Sequence, residues 1–94
     1  MDRMLRSSNS SVLFVATSLE RMTELKSLLE AGESERMRKA AHAIRSSALN
    51  IGAERFPEAL LEIELFKDAE MLGRLYQNAQ EEYTLLLAAL AALR

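Results

Sequence analysis

The sequence predicts an all-α protein, an antiparallel up-down four-helix bundle, and three observations carry that reading. Hydrophobic residues make up 49 % of the chain and are mostly Leu, Ala and Met, residues that favour helix. Three glycines and one proline supply too little turn chemistry for a sheet, and β-branched residues are few and scattered. Apolar residues also recur at the three-then-four spacing of amphipathic helices. At 94 residues the chain holds one core and one domain.

Residues 1–11 are polar and serine-rich apart from Met4 and Leu5, and read equally as a short extra N-terminal helix or a loose arm. Residues 12–94 form the bundle. From Val12 the apolar series is Val12, Val15, Leu19, Met22, Leu25 and Leu29, with Ser10 or Ser11 as N-cap. It ends at Ala31-Gly32, where glycine admits a left-handed turn. Ser34 is the expected cap of the second helix, whose stripe is Met37, Ala41, Ile44, Ala48 and Ile51, closed by Gly52. Small residues in that stripe allow close helix approach.

A third segment carries Phe56, Leu60 and Ile63, with Phe66 as a further candidate. Pro57 is compatible with a start near Glu54, because the first helical N–H groups have no intrahelical partner to lose. Lys67 and Asp68 form a turn, with Asp68 capping a long last helix whose stripe runs Leu72, Leu75, Ala79, Tyr83, Leu86, Leu90. The stretch LLLAALAAL is apolar nearly all round, and such a helix is either covered on every side or joined to a partner. Two covers are open: the N-terminal arm through Met4 and Leu5, or weak self-association through the C-terminal helix.

Composition excludes several function classes. With no cysteine there is neither a disulfide framework nor a thiolate metal site, and a reducing cytoplasm is the expected compartment. No run approaches the roughly 20 apolar residues needed to span a bilayer, and MDRMLRSSNSS has no signal-peptide core, so a soluble chain without membrane insertion is expected. A formal net charge of −2 and the lack of a dense basic tail argue against nucleic acid. Glu20 and Glu24 read as a solvated face and no metal site is expected. Ser46 and Ser47 lack the strand-turn-helix setting of a hydrolase nucleophile.

The one histidine, His42, lies in AAHAIRSSALNIGA. With about 100° per residue, a core stripe of Met37, Ala41, Ile44, Ala48 and Ile51 places His42 roughly 140° from its centre, facing solvent. Residues three or four away share its face: Arg38, Lys39, Arg45 and Ser46. Between Arg36 and Arg45 the chain has four basic residues and no acid. A bare solvated basic face is the simplest account of such a run. Yet nearby cations favour a neutral imidazole, whose free ring nitrogen is a nucleophile, and would then neutralise a dianionic group placed on it. Leu49, two turns on along the same side, adds an apolar residue beside it.

The stretch AHAIRSSALNIGAERFPEALLEIE resembles the signature of histidine-containing phosphotransfer (HPt) domains, roughly Ala-His-x-Leu-Lys-Gly-Ser-x-x-x-Leu-Gly-Ala followed by Leu and Leu-Glu. Ala41 and His42 match directly. Ile44 stands for the Leu, Arg45 for the Lys, Ser47 for the small residue and Ile51 for the second Leu, while Gly52 and Ala53 match as they are. Phe56, Leu60, Ile63 and Glu64 follow at the expected spacings, and the likeness extends more weakly over residues 12–94.

The resemblance implies a four-helix bundle whose exposed histidine takes a phosphoryl group from the aspartate of one receiver domain and passes it to another. It assigns that role to His42 and charge stabilisation to Arg45, with Arg38 and Lys39 assisting and Ser46 and Leu49 at the receiver contact. Partners are receiver domains of response regulators or hybrid sensor kinases, and Mg²⁺ belongs to the receiver, so this chain needs no cofactor of its own. One position departs from the pattern: Ser46 stands where the family has glycine, one turn after the histidine.

Two other readings compete. A dimerising kinase bundle also phosphorylates a helical histidine, but the chain has no Gly-rich nucleotide-binding segment, and Ala43, not an acid, follows His42. A docking module that keeps the fold without phosphotransfer is the alternative that Ser46 favours.

Overall fold

The computed structural model describes residues 2–66 and 68–92, with the side chains of Val12–Phe66, Asp68 and Glu70–Ala92. Four helices follow in order: α1 Asp2–Glu30, α2 Ser34–Asn50, α3 Arg55–Leu65 and α4 Ala69–Ala92. Links of only a few residues make each helix antiparallel to the one before, and α1 also packs on α4, which closes the ring. The all-α four-helix bundle read from the sequence is the observed fold. No helix among the described residues is long and apolar enough to cross a membrane.

Two glycines make the first two corners. Gly32 and Gly52 have φ of +74° and +80°, values that side chains disfavour. At the first corner Gly32 N–H donates to Leu29 O and Glu33 N–H to Leu28 O. At the second, Gly52 N–H donates to Leu49 O and Ala53 N–H to Ala48 O. Both are Schellman closures, which satisfy carbonyls the helix end would leave unpaired.

The expected caps divide. Asp68 does cap α4, its Oδ1 accepting the Glu70 N–H at 3.0 Å. Ser34 does not cap α2: Glu33 occupies that position without a side-chain bond, and its carbonyl already accepts the Met37 N–H at 2.9 Å. The Schellman closure fixes Glu33 and so starts the helix one residue early. No cap forms at Ser10 or Ser11 either, since α1 runs unbroken from Asp2. With neither Gly nor Pro in residues 2–11, extending an existing helix is far easier than starting a new one. The expected cover of α4 by Met4 and Leu5 falls on side chains outside the described ones.

The core is the aliphatic stripe of each helix. Met37, Ala41, Ile44 and Ala48 of α2 are 0–1 % exposed, as are Phe56, Leu60 and Ile63 of α3. Phe66 stands just past α3 in extended conformation and is exposed, so it does not join that stripe. In α4, Leu72, Leu75, Ala79 and Tyr83 are buried together with Tyr76, while Leu86 and Leu90 are half-buried.

On α1 the inward series is Phe14, Ser18, Met22 and Leu25, and Val12 and Leu19 are exposed at 55 % and 51 %. The reason is Ser18, a polar residue in a core position. Its Oγ lies 2.7 Å from the Tyr83 hydroxyl, which satisfies both groups away from water. Phe56 packs against Tyr83, ring centroids 5.1 Å apart and planes tilted by 38°.

That layer marks a change of architecture. At about 1.5 Å per residue, α1 and α4 are roughly 43 and 36 Å long against roughly 25 and 16 Å for α2 and α3. Below Ser18, Phe56 and Tyr83 four helices surround the core; above it α1 and α4 continue as a pair. The molecule measures 47 × 19 × 18 Å.

Candidate functional site

The α2 stripe turns Met37, Ala41, Ile44 and Ala48 inward and leaves His42 on the opposite face, its side chain 61 % exposed. The solvent-facing orientation expected from helical periodicity is the observed one. His42 nevertheless has a fixed ring. Its Nδ1 lies 2.8 Å from Oε1 of Glu64 on α3, and the other carboxylate oxygen of Glu64 accepts from Nε of Arg45 at 2.5 Å. Arg45 sits one turn after His42 and its Nη2 is 3.3 Å from Nδ1.

These contacts assign the tautomer. An ionised carboxylate only accepts and a guanidinium only donates, so Nδ1 cannot serve both neighbours. The short contact is with Glu64, hence Nδ1 carries hydrogen and donates to Oε1. In the neutral ring the lone pair is then on Nε2, the nitrogen at the outer end. Such an Nδ1–H to carboxylate bond fixes the tautomer and the ring orientation. If Nε2 bonds to an electrophile while Nδ1–H is retained, the ring becomes a cation against the Glu64 carboxylate.

Glu64 fits the motif spacing in the sequence, but only the fold shows what it touches. It follows Ile63 and lies one turn after Leu60, at the edge of the α3 stripe, so its side chain is only 15 % exposed. Glu58 and Glu62 on the same helix are exposed. An acid at the border of an apolar stripe, across from a helix bearing histidine and arginine, is the signal that could have found it.

The remaining expected residues share the His42 face without joining this network. Arg38 is half-buried, Lys39 and Ser46 are exposed, and Leu49 is 52 % exposed. Arg45 is 24 % exposed and engaged with Glu64. A cation that the sequence did not single out arrives from α1: Arg21 Nη1 donates to the Ala43 carbonyl and to Ser47 Oγ, both at 3.4 Å. It stands on the flank of α2 away from Arg45. On α3, Leu61 and Leu65 flank Glu64 and are exposed, which with Leu49 gives the polar centre an apolar rim.

A family model described as Hpt domain matches residues 11–94. Neither a curated protein nor a solved structure matches the chain.

Proposed function

This chain belongs to the Hpt domain family, the histidine phosphotransfer domains that work with receivers in phosphorelays, and from that premise we propose that it relays a phosphoryl group between receiver aspartates through His42. The observation that carries the reading is the pairing of exposure with restraint: a ring 61 % open to solvent yet held by a 2.8 Å bond from Nδ1 to Glu64. The Nε2 lone pair attacks phosphorus in line with the aspartyl oxygen, the P–O bond breaks and the receiver carboxylate leaves. Nδ1 keeps its hydrogen, so the product is an N-phosphoimidazolium stabilised by Glu64. The second transfer reverses these steps toward another aspartate.

A loose phosphoryl transition state asks mainly for alignment and charge neutralisation. Glu64 supplies alignment. Arg45 braces the same edge of the ring and, with Arg38 and Lys39, brings positive charge to the phosphoryl group. Arg21, Ser46 and the Leu49–Leu61–Leu65 rim make the surface on which a receiver docks, and the Mg²⁺ of the reaction is the receiver's. Partners are the receivers of response regulators or hybrid sensor kinases, and the reaction takes place in the cytoplasm.

The test is to mix the chain with a panel of phosphorylated receivers and follow acid-labile, base-stable label on His42. Label from at least one receiver is expected, and none from ATP alone. If no receiver labels the chain, or if ATP suffices, the reading fails. Ser46 is the observation on the side of a docking module without transfer, because a hydroxymethyl group narrows the approach to the ring. A His42→Gln variant with full biological activity would put docking ahead.

A further inference from the structure

The network at His42 occupies only one side of the ring. With about 100° per residue, Arg38 and Arg45 fall roughly 40° and 60° to one side of His42 around α2, and Lys39 and Ser46 roughly 60° and 40° to the other. The contacts identify the two sides. Arg45 reaches Glu64 of α3, whereas Ala43 and Ser47, farther round on the Lys39 side, receive Arg21 from α1. Thus α3 flanks one side of the histidine and α1 the other.

Glu64 bonds Nδ1, and the two nitrogens of an imidazole point to nearly opposite sides of the ring, so Nε2 is directed away from α3, toward Lys39 and Ser46. The availability of the side chains divides in the same way. Arg45 is bound through Nε to Glu64, and its Nη2 lies 3.3 Å from Nδ1. Arg38, on that side too, is half-buried. Lys39 is exposed and ion-pairs with none of the described residues, Glu35 one turn earlier included. It borders an open cleft toward α1, lined also by Glu24, Leu28, Arg36 and Ala40, which leaves its flexible four-carbon stem room to swing. Ser47 gives its hydroxyl to the Ala43 carbonyl at 3.3 Å, whereas Ser46 is exposed and no described residue takes its hydroxyl. Helical side chains lean toward the N-terminus, which brings Ser46 Oγ toward His42.

We infer that a phosphoryl group on Nε2 is held by Lys39 and Ser46, and that Arg45, at the position where the family pattern has its phosphoryl cation, is committed to Glu64 and the ring instead. The Lys39 ammonium neutralises one phosphoryl oxygen and the Ser46 hydroxyl donates to another, so the dianion sits over the α1 side of α2. Arg21, tied to Ala43 and Ser47, adds positive field from α1. Arg38 and Arg45 contribute charge from the other edge of the ring without touching the group. The inference rests on phosphorylation of His42 and deepens it by naming the side chains that contact the product.

Phosphoramidate tests it without any receiver, since attack of Nε2 on its phosphorus forms the P–N bond of phosphohistidine and breaks its own, releasing ammonia. Phosphorus-31 NMR of the full chain treated in this way follows the second ionisation of the phosphoryl group. A cation or a donor on its oxygens favours the dianion, so losing either raises the midpoint. Lys39→Met should raise it by between about 0.2 and 0.7 pH units, the worth of an exposed ion pair, and Lys39→Arg should keep the wild-type value. Ser46→Ala should move it in the same direction, and Arg45→Met should move it less than Lys39→Met, with circular dichroism confirming an unchanged helix content. An unchanged midpoint in Lys39→Met or in Ser46→Ala, a larger shift in Arg45→Met than in Lys39→Met, or no phosphorus on His42 would overturn the proposal. A chain that phosphoramidate labels but no receiver does would refute the relay and leave this assignment standing.

Discussion

Below the layer of Ser18, Phe56 and Tyr83, the residues Leu25, Met37, Ile44, Leu60 and Ile63 are 0–1 % exposed; above it Val12, Leu13 and Leu85 are 55–64 % exposed. Both regions are built from the same aliphatic residues on the same kind of helix. What differs is the number of neighbours, four helices against two. The lower region can fix a histidine ring because two packed helices, α2 and α3, bring His42, Arg45 and Glu64 within hydrogen-bond reach. In the upper region the described side chains of Val12, Leu13 and Leu85 are apolar and open to solvent. Rigidity and a site go with one, unsatisfied surface with the other.

Core truncation should separate the regions most widely. Leu60→Ala or Ile44→Ala is expected to cost about 2–5 kcal/mol through lost burial and the cavity left behind. That is a large part of the roughly 5–15 kcal/mol available to a small domain. Leu85→Ala should stay within about 0.5 kcal/mol, as exposed positions do. Urea unfolding measures both, and equal costs would break the comparison.

Glu64→Gln sharpens it at the site. The amide keeps the shape but removes the charge facing the ring, and its NH₂ end is able to donate where the carboxylate only accepted. Transfer from a phosphorylated receiver should slow by about tenfold to a hundredfold, the range for groups that orient an imidazole from behind. Secondary structure should be unchanged, and a variant that transfers at the wild-type rate would remove Glu64 from the account.

At the boundary layer, Tyr83→Phe takes one partner from Ser18, which is 2 % exposed but also donates to the Val15 carbonyl. A loss of about 1 kcal/mol is expected, and most of it should vanish when Ser18→Ala is added, as a double-mutant cycle would show. The same tyrosine gives a pH dependence. Burial pushes the Tyr83 hydroxyl above its ordinary value of 10.0, against the smaller opposing effect of the Ser18 hydrogen bond. The folded chain therefore holds this proton at pH values where the unfolded chain loses it. Its contribution to stability is complete below about pH 10 and is lost as pH rises through the folded value. Tyr83→Phe should reduce that alkaline decline in a denaturation series, leaving the share of Tyr76, raised by burial and by Glu30.

The smallest effect is expected at Ser46. Ser46→Gly should cost about 0.5 kcal/mol as a helix-interior glycine and, by opening the approach to the ring, raise the transfer rate. Thermal unfolding and receiver-dependent labelling read the two parts.

The lower region was the legible one. Met37, Ala41, Ile44 and Ala48 are buried as their spacing predicted, because four surrounding helices impose a single inward direction on α2. The exposure of His42 follows from that same direction. On α1 the apolar-only count failed: Ser18 is polar yet inward, since its partner is a tyrosine 65 residues away that no local pattern connects to it. Val12 and Leu19 look like core in sequence, but with Phe14, Ser18, Met22 and Leu25 turned inward they fall on the outer face of α1. Glu64 and Arg21 were hidden for a related reason. Each acts on α2 from another helix, and periodicity describes faces within a helix, not which faces meet.

The central claim is that Glu64 holds Nδ1–H and leaves Nε2 to carry the phosphoryl group. Nitrogen-15 NMR of the ring-labelled His42 in the phosphorylated chain reads directly which nitrogen is bonded to phosphorus. Bonding at Nε2, with Nδ1 still carrying hydrogen, is the predicted result; phosphorus on Nδ1, or on a residue other than His42, would contradict it.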